Sequence, residues 1–353
     1  MSYVCVAGLV SAAFFTTACS EVSFTGSTPQ DSLDTGEPQP AGEAKNSYFF
    51  VRRAADILFV IDTSGSMAEE QALLQNGFPS FTSTLNSYSG GTLDWQIAIT
   101  STDVANAGTG KQGALVPFSG VAAGTYFLSN AIDVGVANAS FQSTVVLGVG
   151  GSGDERGIAA ARRTAALELN PATSRGFMRT DTPLSVIVLS DEDERGSRNP
   201  SSGEFRPFEP FDEPANFVSG IQALDTLSSI PKTITFHSIV TSTQACLDGP
   251  GAYMGTTYMQ LSTMTGGIIG DICAINQTYQ EQLQSLAENI VNEARTYTLP
   301  CSNIAPGSTA AYEQELGGAL VPVPSTFVAP NKIVLTNPPP VGSLIKAKFT
   351  CLD

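Results

Sequence analysis

The chain of 353 residues reads as an α/β protein: a doubly wound, mostly parallel sheet flanked by helices, followed by a small C-terminal β appendage. Three observations lead there. Residues 57–61 (Ile-Leu-Phe-Val-Ile) form an unbroken β-branched and aromatic run, as a strand covered on both faces of a parallel sheet requires. From there to about residue 297 strand-like and helix-like stretches alternate, the pattern of successive βαβ units. Beyond 297 the chain turns to short alternating stretches separated by Pro and Gly.

The elements follow in order. Residues 69–88 are expected to form the first helix, kinked or interrupted at Pro79. Residues 94–100 form a strand in which Trp95, Ile97 and Ile99 alternate, as in a half-covered strand near a sheet edge. Residues 113–128 suggest a hairpin-like edge. Residues 133–147 and 154–169 read as helices, the second amphipathic through Ile158, Ala161, Ala165 and Leu169. Residues 184–190 are another buried strand, 212–228 a helix and 233–240 a strand. Residues 257–265 form a short helix stopped by Gly266-Gly267. A strand at 268–272 and a long helix at 277–295 close the unit. In the tail, 297–299, 319–323, 332–336 and 344–349 read as short strands of a small sandwich or sheet; the alternative is that they extend the main domain. The expected boundaries are 49–297 for the α/β domain and 298–353 for the appendage.

The most informative stretch is where the first strand ends. Asp62-Thr63-Ser64-Gly65-Ser66 places three hard oxygen donors at alternate positions, and Gly65 lets the turn tighten. Open α/β sheets bind ligands just beyond the carboxyl ends of their strands, where this loop would lie. One carboxylate and two hydroxyls suit Mg2+ or Mn2+, or Ca2+, better than Zn2+, which prefers imidazole and thiolate. The same residues also fit a helix-capping turn. Asp103, after the strand at 94–100, is a carboxylate for the same edge if that strand runs parallel.

The five residues and their strand closely resemble the first segment of the metal ion-dependent adhesion site in von Willebrand factor type A domains. The second segment of that family is a Gly-Gly-Thr loop whose Thr hydroxyl reaches the metal. Here the matching stretch is Gly150-Gly151-Ser152-Gly153-Asp154-Glu155, with Ser152 as the implied donor or, alternatively, a helix-approach residue. The third segment is a buried strand ending in Asp, matched by residues 184–191, with Asp191 acting directly or through water. Glu192, Asp193 and Glu194 follow it. Asp193 is a candidate for the outer shell together with Asp103, and Glu194 reads as part of a solvated acidic loop. The resemblance covers residues 54–297. It implies a divalent cation held by Asp62, Ser64, Ser66, Ser152 and Asp191. Gly176-Phe177-Met178-Arg179 and the acidic run after the third strand are similar to a bacterial subgroup of secreted or lipid-anchored members.

Compartment is read from the other end. Residues 4–18 are apolar and small but too short to span a bilayer, and Thr16-Thr17-Ala18-Cys19 resembles a lipoprotein signal with Cys19 as its lipid acceptor. A simple secretory peptide is the alternative. Ser20 after the Cys implies the outer membrane, on its periplasmic or cell-surface face. Residues 19–48 are rich in Ser, Thr, Gly, Pro and acid, which suits a flexible acidic tether reaching on the order of several tens of Å. The chain has six cysteines. Setting Cys5 and Cys19 aside leaves Cys246, Cys273, Cys301 and Cys351, an even set that fits an oxidising compartment. Four cysteines allow three connectivities; Cys246 with Cys273 and Cys301 with Cys351 keeps each bridge inside one structural unit.

A net charge of −16 leaves no basic face for a nucleic acid. The only histidine, His237, lies within a strand, which gives a Ser-His-Asp arrangement little support. Position 64 is Ser, so the Asp-x-Asp pair of phosphohydrolases is missing as well. A metal with no base beside it is better placed to bind than to hydrolyse. The expected function is therefore non-enzymatic: an envelope-anchored adhesion or scaffolding module. A metal held by few protein carboxylates keeps residual positive charge and attracts an acidic side chain from a partner protein. The alternatives are a structural envelope protein whose metal only stabilises the fold and, further off, a metal-dependent hydrolase.

Overall fold

The computed structural model describes residues 42–352 except 43, 52, 88–92, 106–107, 109, 198, 200, 229–230, 252 and 316–317. The signal-like segment, Cys19 and the tether up to residue 41 lie outside the described residues. The chain enters through β1 (Ala44–Phe50) and then forms β2 (Ala54–Ile61), the strand that carries the Asp62 loop.

Six strands make the main sheet, in the order β4-β3-β2-β5-β6-β7. β3 (Asp94–Ser101), β5 (Leu184–Ser190), β6 (Ile234–Val240) and β7 (Ile269–Asp271) all join in parallel register with β2. Only β4 (Leu128–Ser129) is antiparallel. The sheet is thus the mixed, mostly parallel one that the apolar run predicts. β2 turns Ile57, Phe59 and Ile61 towards one helical layer and Leu58 and Val60 towards the other, with all five side chains fully buried.

The first layer contains α1 (Ala68–Asn86), α2 (Val134–Thr144) and α7 (Asn276–Ala294), packed through Phe78, Phe81, Phe141 and Leu283. Gly77 lets α1 and α7 meet closely, since a Cβ there would lie 2.5 Å from Leu283. The second layer contains α3 (Gly157–Glu168), α4 (Pro214–Leu224) and α6 (Thr256–Thr265). A short α5 (Gln244–Leu247) carries Cys246, which is bridged to Cys273.

After α7, β8 (Thr296–Thr298), β9 (Ala310–Gln314), β10 (Leu320–Val323), β11 (Ser325–Val328), β12 (Lys332–Leu335) and β13 (Leu344–Thr350) build two small antiparallel sheets, β1-β13-β9-β10 and β11-β12-β8. They share a core that includes Ile333, Leu335, Ile345 and Phe349, and the Cys301–Cys351 bridge is buried in it.

Four local expectations are corrected. α1 is not interrupted at Pro79, although Pro lacks the N–H that would reach the Gln75 carbonyl one turn back. Gln142 Nε2 donates to that carbonyl at 3.0 Å, and Gln75 Nε2 donates back to the Gln142 carbonyl at 2.6 Å. The hairpin expected at 113–128 is an irregular segment with only β4 at its end. β3 is covered on both faces, with Ala98 buried as fully as Ile97 and Ile99. Finally, residues 44–48 are not tether but part of β1. They pair antiparallel with β13 at the far end of the chain, and Phe49 stacks on Tyr297 with ring centroids 4.0 Å apart.

Candidate metal centre

Parallel pairing brings the carboxyl ends of β2, β3 and β5 side by side, so the loops starting at Asp62, Thr102 and Asp191 converge. The loop before α3 joins them from the second helical layer. Its Gly151 donates its N–H to the Thr63 carbonyl at 2.8 Å. A Cβ at Gly151 would fall 1.9 Å from Thr63 Oγ1, so no other residue fits this contact without displacing the Asp62 loop. Gln71 of α1 adds a second tie. Its Nε2 donates to the carbonyls of Asp62 (2.8 Å) and Gly148 (3.0 Å), and its Oε1 accepts from the Gly148 N–H at 3.2 Å.

Asp62 is fully buried. Its Oδ1 accepts the Ser64 N–H at 2.7 Å, and its Oδ2 accepts the Ser190 hydroxyl at 2.5 Å. The hydroxyls of Ser64 and Ser66 lie 3.3 Å apart. Asp191, also buried, is close enough to accept from Ser66, and its Oδ1 accepts no hydrogen bond from the described residues. Burial raises both carboxyls above their ordinary range, and the charge of Asp191 raises Asp62 further.

The other expected members lie in different surroundings. The Ser152 hydroxyl accepts the Asp154 N–H at 3.0 Å, and its own N–H donates to Asp103 Oδ2 at 3.3 Å. Asp103 is buried and pairs with Lys111 at 3.0 Å. Asp193 receives the Thr257 N–H at 2.9 Å and the Thr257 hydroxyl at 3.0 Å, at the first turn of α6. Glu194 is not in a solvated loop: it is buried and accepts the N–H groups of Ile158 (2.8 Å) and Ala159 (3.2 Å) at the start of α3. Helix N-termini present such unsatisfied donors, which is what draws the acid inward.

One buried acid was not anticipated. Glu155, the residue two before α3, is fully buried and lies within hydrogen-bonding reach of Asp62. Its Oε2 accepts the Thr102 hydroxyl, and its Oε1 accepts nothing from the described residues. Burial, with the nearby Asp62 charge second, pushes its carboxyl up to about 10. The signal available in the sequence was an acid at the start of the helix that follows the Gly150-Gly151-Ser152 stretch. Ser190 is likewise found only through its bond to Asp62.

These donors are hard oxygens suited to a divalent cation, and two buried carboxylate oxygens here lack a hydrogen-bond donor. The carboxylates are not all gathered tightly. Among the described residues, the trio of metal-binding side chains whose ligand atoms all lie within 4.8 Å of one another is Cys246, Asp271 and Cys273, and its two cysteines are joined in a disulfide. One of Asp62, Glu155 and Asp191 would therefore reach a shared ion through water. His237 sits in the interior of β6, where its Nδ1 accepts the Ile268 N–H at 3.0 Å and burial lowers it to about 3.

No family model matches the chain, and a search of curated proteins finds no match. Similar solved structures include the pilus adhesin SpaC from Lactobacillus rhamnosus GG in its open conformation, with a TM-score of 0.39, 12% identity, and coverage of 89% of this chain and 41% of that one. A von Willebrand factor type A protein from Catenulispora acidiphila gives 0.36 at 10% identity, covering 89% of this chain and 66% of that one. The manganese-loaded TRAP protein of Plasmodium vivax gives 0.36 at 10% identity, covering 71% and 78%. The chain spans less than two thirds of the first two structures. Fold and site are therefore assigned from strand order and loop geometry.

Proposed function

We propose that this protein is a divalent-cation-dependent protein-binding module acting outside the cytoplasm, in which Asp62, Ser64, Ser66 and Asp191 hold Mg2+ or Mn2+ at the carboxyl edge of the sheet. The observation that carries this reading is the Asp62 loop, a buried carboxylate followed by two adjacent hydroxyls. It is clamped by Gln71 and Gly151 to a second loop and by Ser190 to the end of β5.

Ser66 is exposed, so an ion bound there would keep a side open to a partner's oxygen donor. That donor is an acidic side chain wherever the ion retains positive charge. A cleft of about 450 Å³, lined by Thr63, Lys111, Ser119, Ser143, Gly150 and Gly151, opens beside the loop and gives a partner side chain room. The two disulfides support a site of action in an oxidising compartment. Anchoring through a lipid on Cys19 at the outer membrane is part of the same proposal.

The test joins direct metal binding to partner capture. Mn2+ binding to the full chain is measured by calorimetry, and capture of envelope proteins is compared in Mn2+, in chelator and with Asp62→Ala. Metal binding together with capture that both chelator and Asp62→Ala abolish is the expected result. Capture unchanged in both arms would sink the binding mechanism. If chelator only lowers the melting temperature and leaves associations intact, the ion is structural.

A further inference from the structure

The second loop meets the Asp62 loop with a carboxylate, and the hydroxyl expected from it is engaged within its own loop. Ser152 Oγ is engaged by the N–H of Asp154, two residues on, which fixes it in a local turn, and the Ser152 backbone is held by Asp103. Glu155 reaches in instead. Its backbone carbonyl accepts the Arg195 N–H at 3.0 Å, so the loop before α3 is pinned to the loop after β5. Its side chain is buried completely and fixed at one oxygen by the Thr102 hydroxyl. The other oxygen receives no hydrogen bond from the described residues, and the carboxyl as a whole lies within hydrogen-bonding reach of Asp62. Two buried carboxyls this close together, one of them with an oxygen that has no donor among the described residues, are an arrangement that a cation satisfies.

We propose that Glu155 supplies the second loop's ligand to the metal at the Asp62 site, in place of a hydroxyl from Ser152. This inference rests on the metal-binding reading above and changes its charge. With Asp62, Glu155 and Asp191 all contributing, the protein's three carboxylates outweigh the two charges of the ion. The assignment also shifts the ion preference towards carboxylate-rich coordination, as Mn2+ and Ca2+ accept.

Mn2+ binding to the full chain, followed by calorimetry and by the electron paramagnetic resonance signal of the bound ion, separates the alternatives. Glu155→Gln keeps the shape and a hydrogen-bonding group, and it should weaken Mn2+ binding by at least about tenfold, the lower end for groups that shape a metal site. Ser152→Ala should stay within about threefold of the unaltered protein. Melting in chelator checks that both variants are folded. If Glu155→Gln does not fold, Glu155→Asp, which retracts the carboxylate by one methylene, takes its place with the same expectation. Equal affinity in the Glu155 variant and the unaltered protein, or an equal loss in Ser152→Ala, overturns the assignment while leaving the site intact. Absence of Mn2+ binding to the unaltered chain overturns the underlying reading and the assignment with it.

Discussion

The two ends of the main sheet both bury acids, but the acids around Asp56 meet cations whereas those around Asp62 meet one another. At the amino end, Asp56 receives the backbone N–H and the guanidinium of Arg179, each at 2.8 Å. Lys232 beside it donates to the carbonyls of Arg179 (2.6 Å) and Thr182 (2.9 Å) and lies 3.5 Å from Asp225. At the carboxyl end, Asp62, Glu155 and Asp191 share hydroxyl and backbone donors, and two of their oxygens receive no donor from the described residues. Burial lifts Asp56 only to about 6, with the Arg179 charge opposing it, whereas Glu155 rises to about 10 beside another acid. A paired buried acid is part of the scaffold; an acid buried against another acid calls for a proton or a cation. The contrast is between acids paired with cations around Asp56 and acids buried against one another around Asp62.

The largest expected effect tests the neutralised end. Arg179→Met strands Asp56 without its main partner and should cost about 3–5 kcal/mol of stability in denaturant unfolding. A loss below about 1 kcal/mol would show that Asp56 is not held by this pair.

A smaller effect tests how the carboxyl end responds to pH. Burial raises Glu194 to about 8 from an ordinary 4.5, so the folded protein holds that proton more tightly than the unfolded chain. The stability contributed is complete below about 4.5, declines above it and is lost as pH rises through about 8. Glu194→Gln has no such proton. Its stability relative to the unaltered protein, both in chelator, should therefore improve between pH 5 and 8, by at most about 1.4 kcal/mol per pH unit. A difference that stays flat across this range would remove Glu194 from the raised acids.

The smallest effect has the most telling sign. Asp62→Asn keeps an acceptor for Ser64 and gains a donor for Ser190, while removing one of the facing charges. In chelator it should leave the fold unchanged or more stable by up to about 1 kcal/mol, while Mn2+ binding is lost. Asp56→Asn, which breaks a neutralised pair, should destabilise. Like signs for the two substitutions would erase the distinction between the ends.

Much of this was legible in the sequence because the signals are local. The 57–61 run specifies a strand buried on both faces, and Asp62-Thr63-Ser64-Gly65-Ser66 specifies the loop at its end, since both depend on residue type and spacing alone. The Cys246–Cys273 and Cys301–Cys351 pairs could be assigned because each closes within one unit. The misreadings are all non-local. Pro79 lies inside an unbroken helix because a glutamine from α2 answers the carbonyl it frees. Residues 44–47 share the polar composition of the tether, and only pairing with β13 makes them part of a strand. Glu194 belongs to an acidic run, and only the approach of α3 turns it inward.

By itself, then, the sequence determined the α/β architecture, the oxygen-rich loop after β2 and the cysteine pairs, because periodicity and donor spacing act over a few residues. Tertiary structure alone decided which acids are buried together. Glu155 and Ser152 are three positions apart with comparable claims as oxygen donors, and neither one's surroundings can be read from its neighbours in the chain. Folding buries Glu155 beside Asp62 and engages Ser152 in a local turn. Whether a carboxylate can serve as a ligand depends on which charges are buried around it, and that is set by the meeting of strand ends and not by order along the chain.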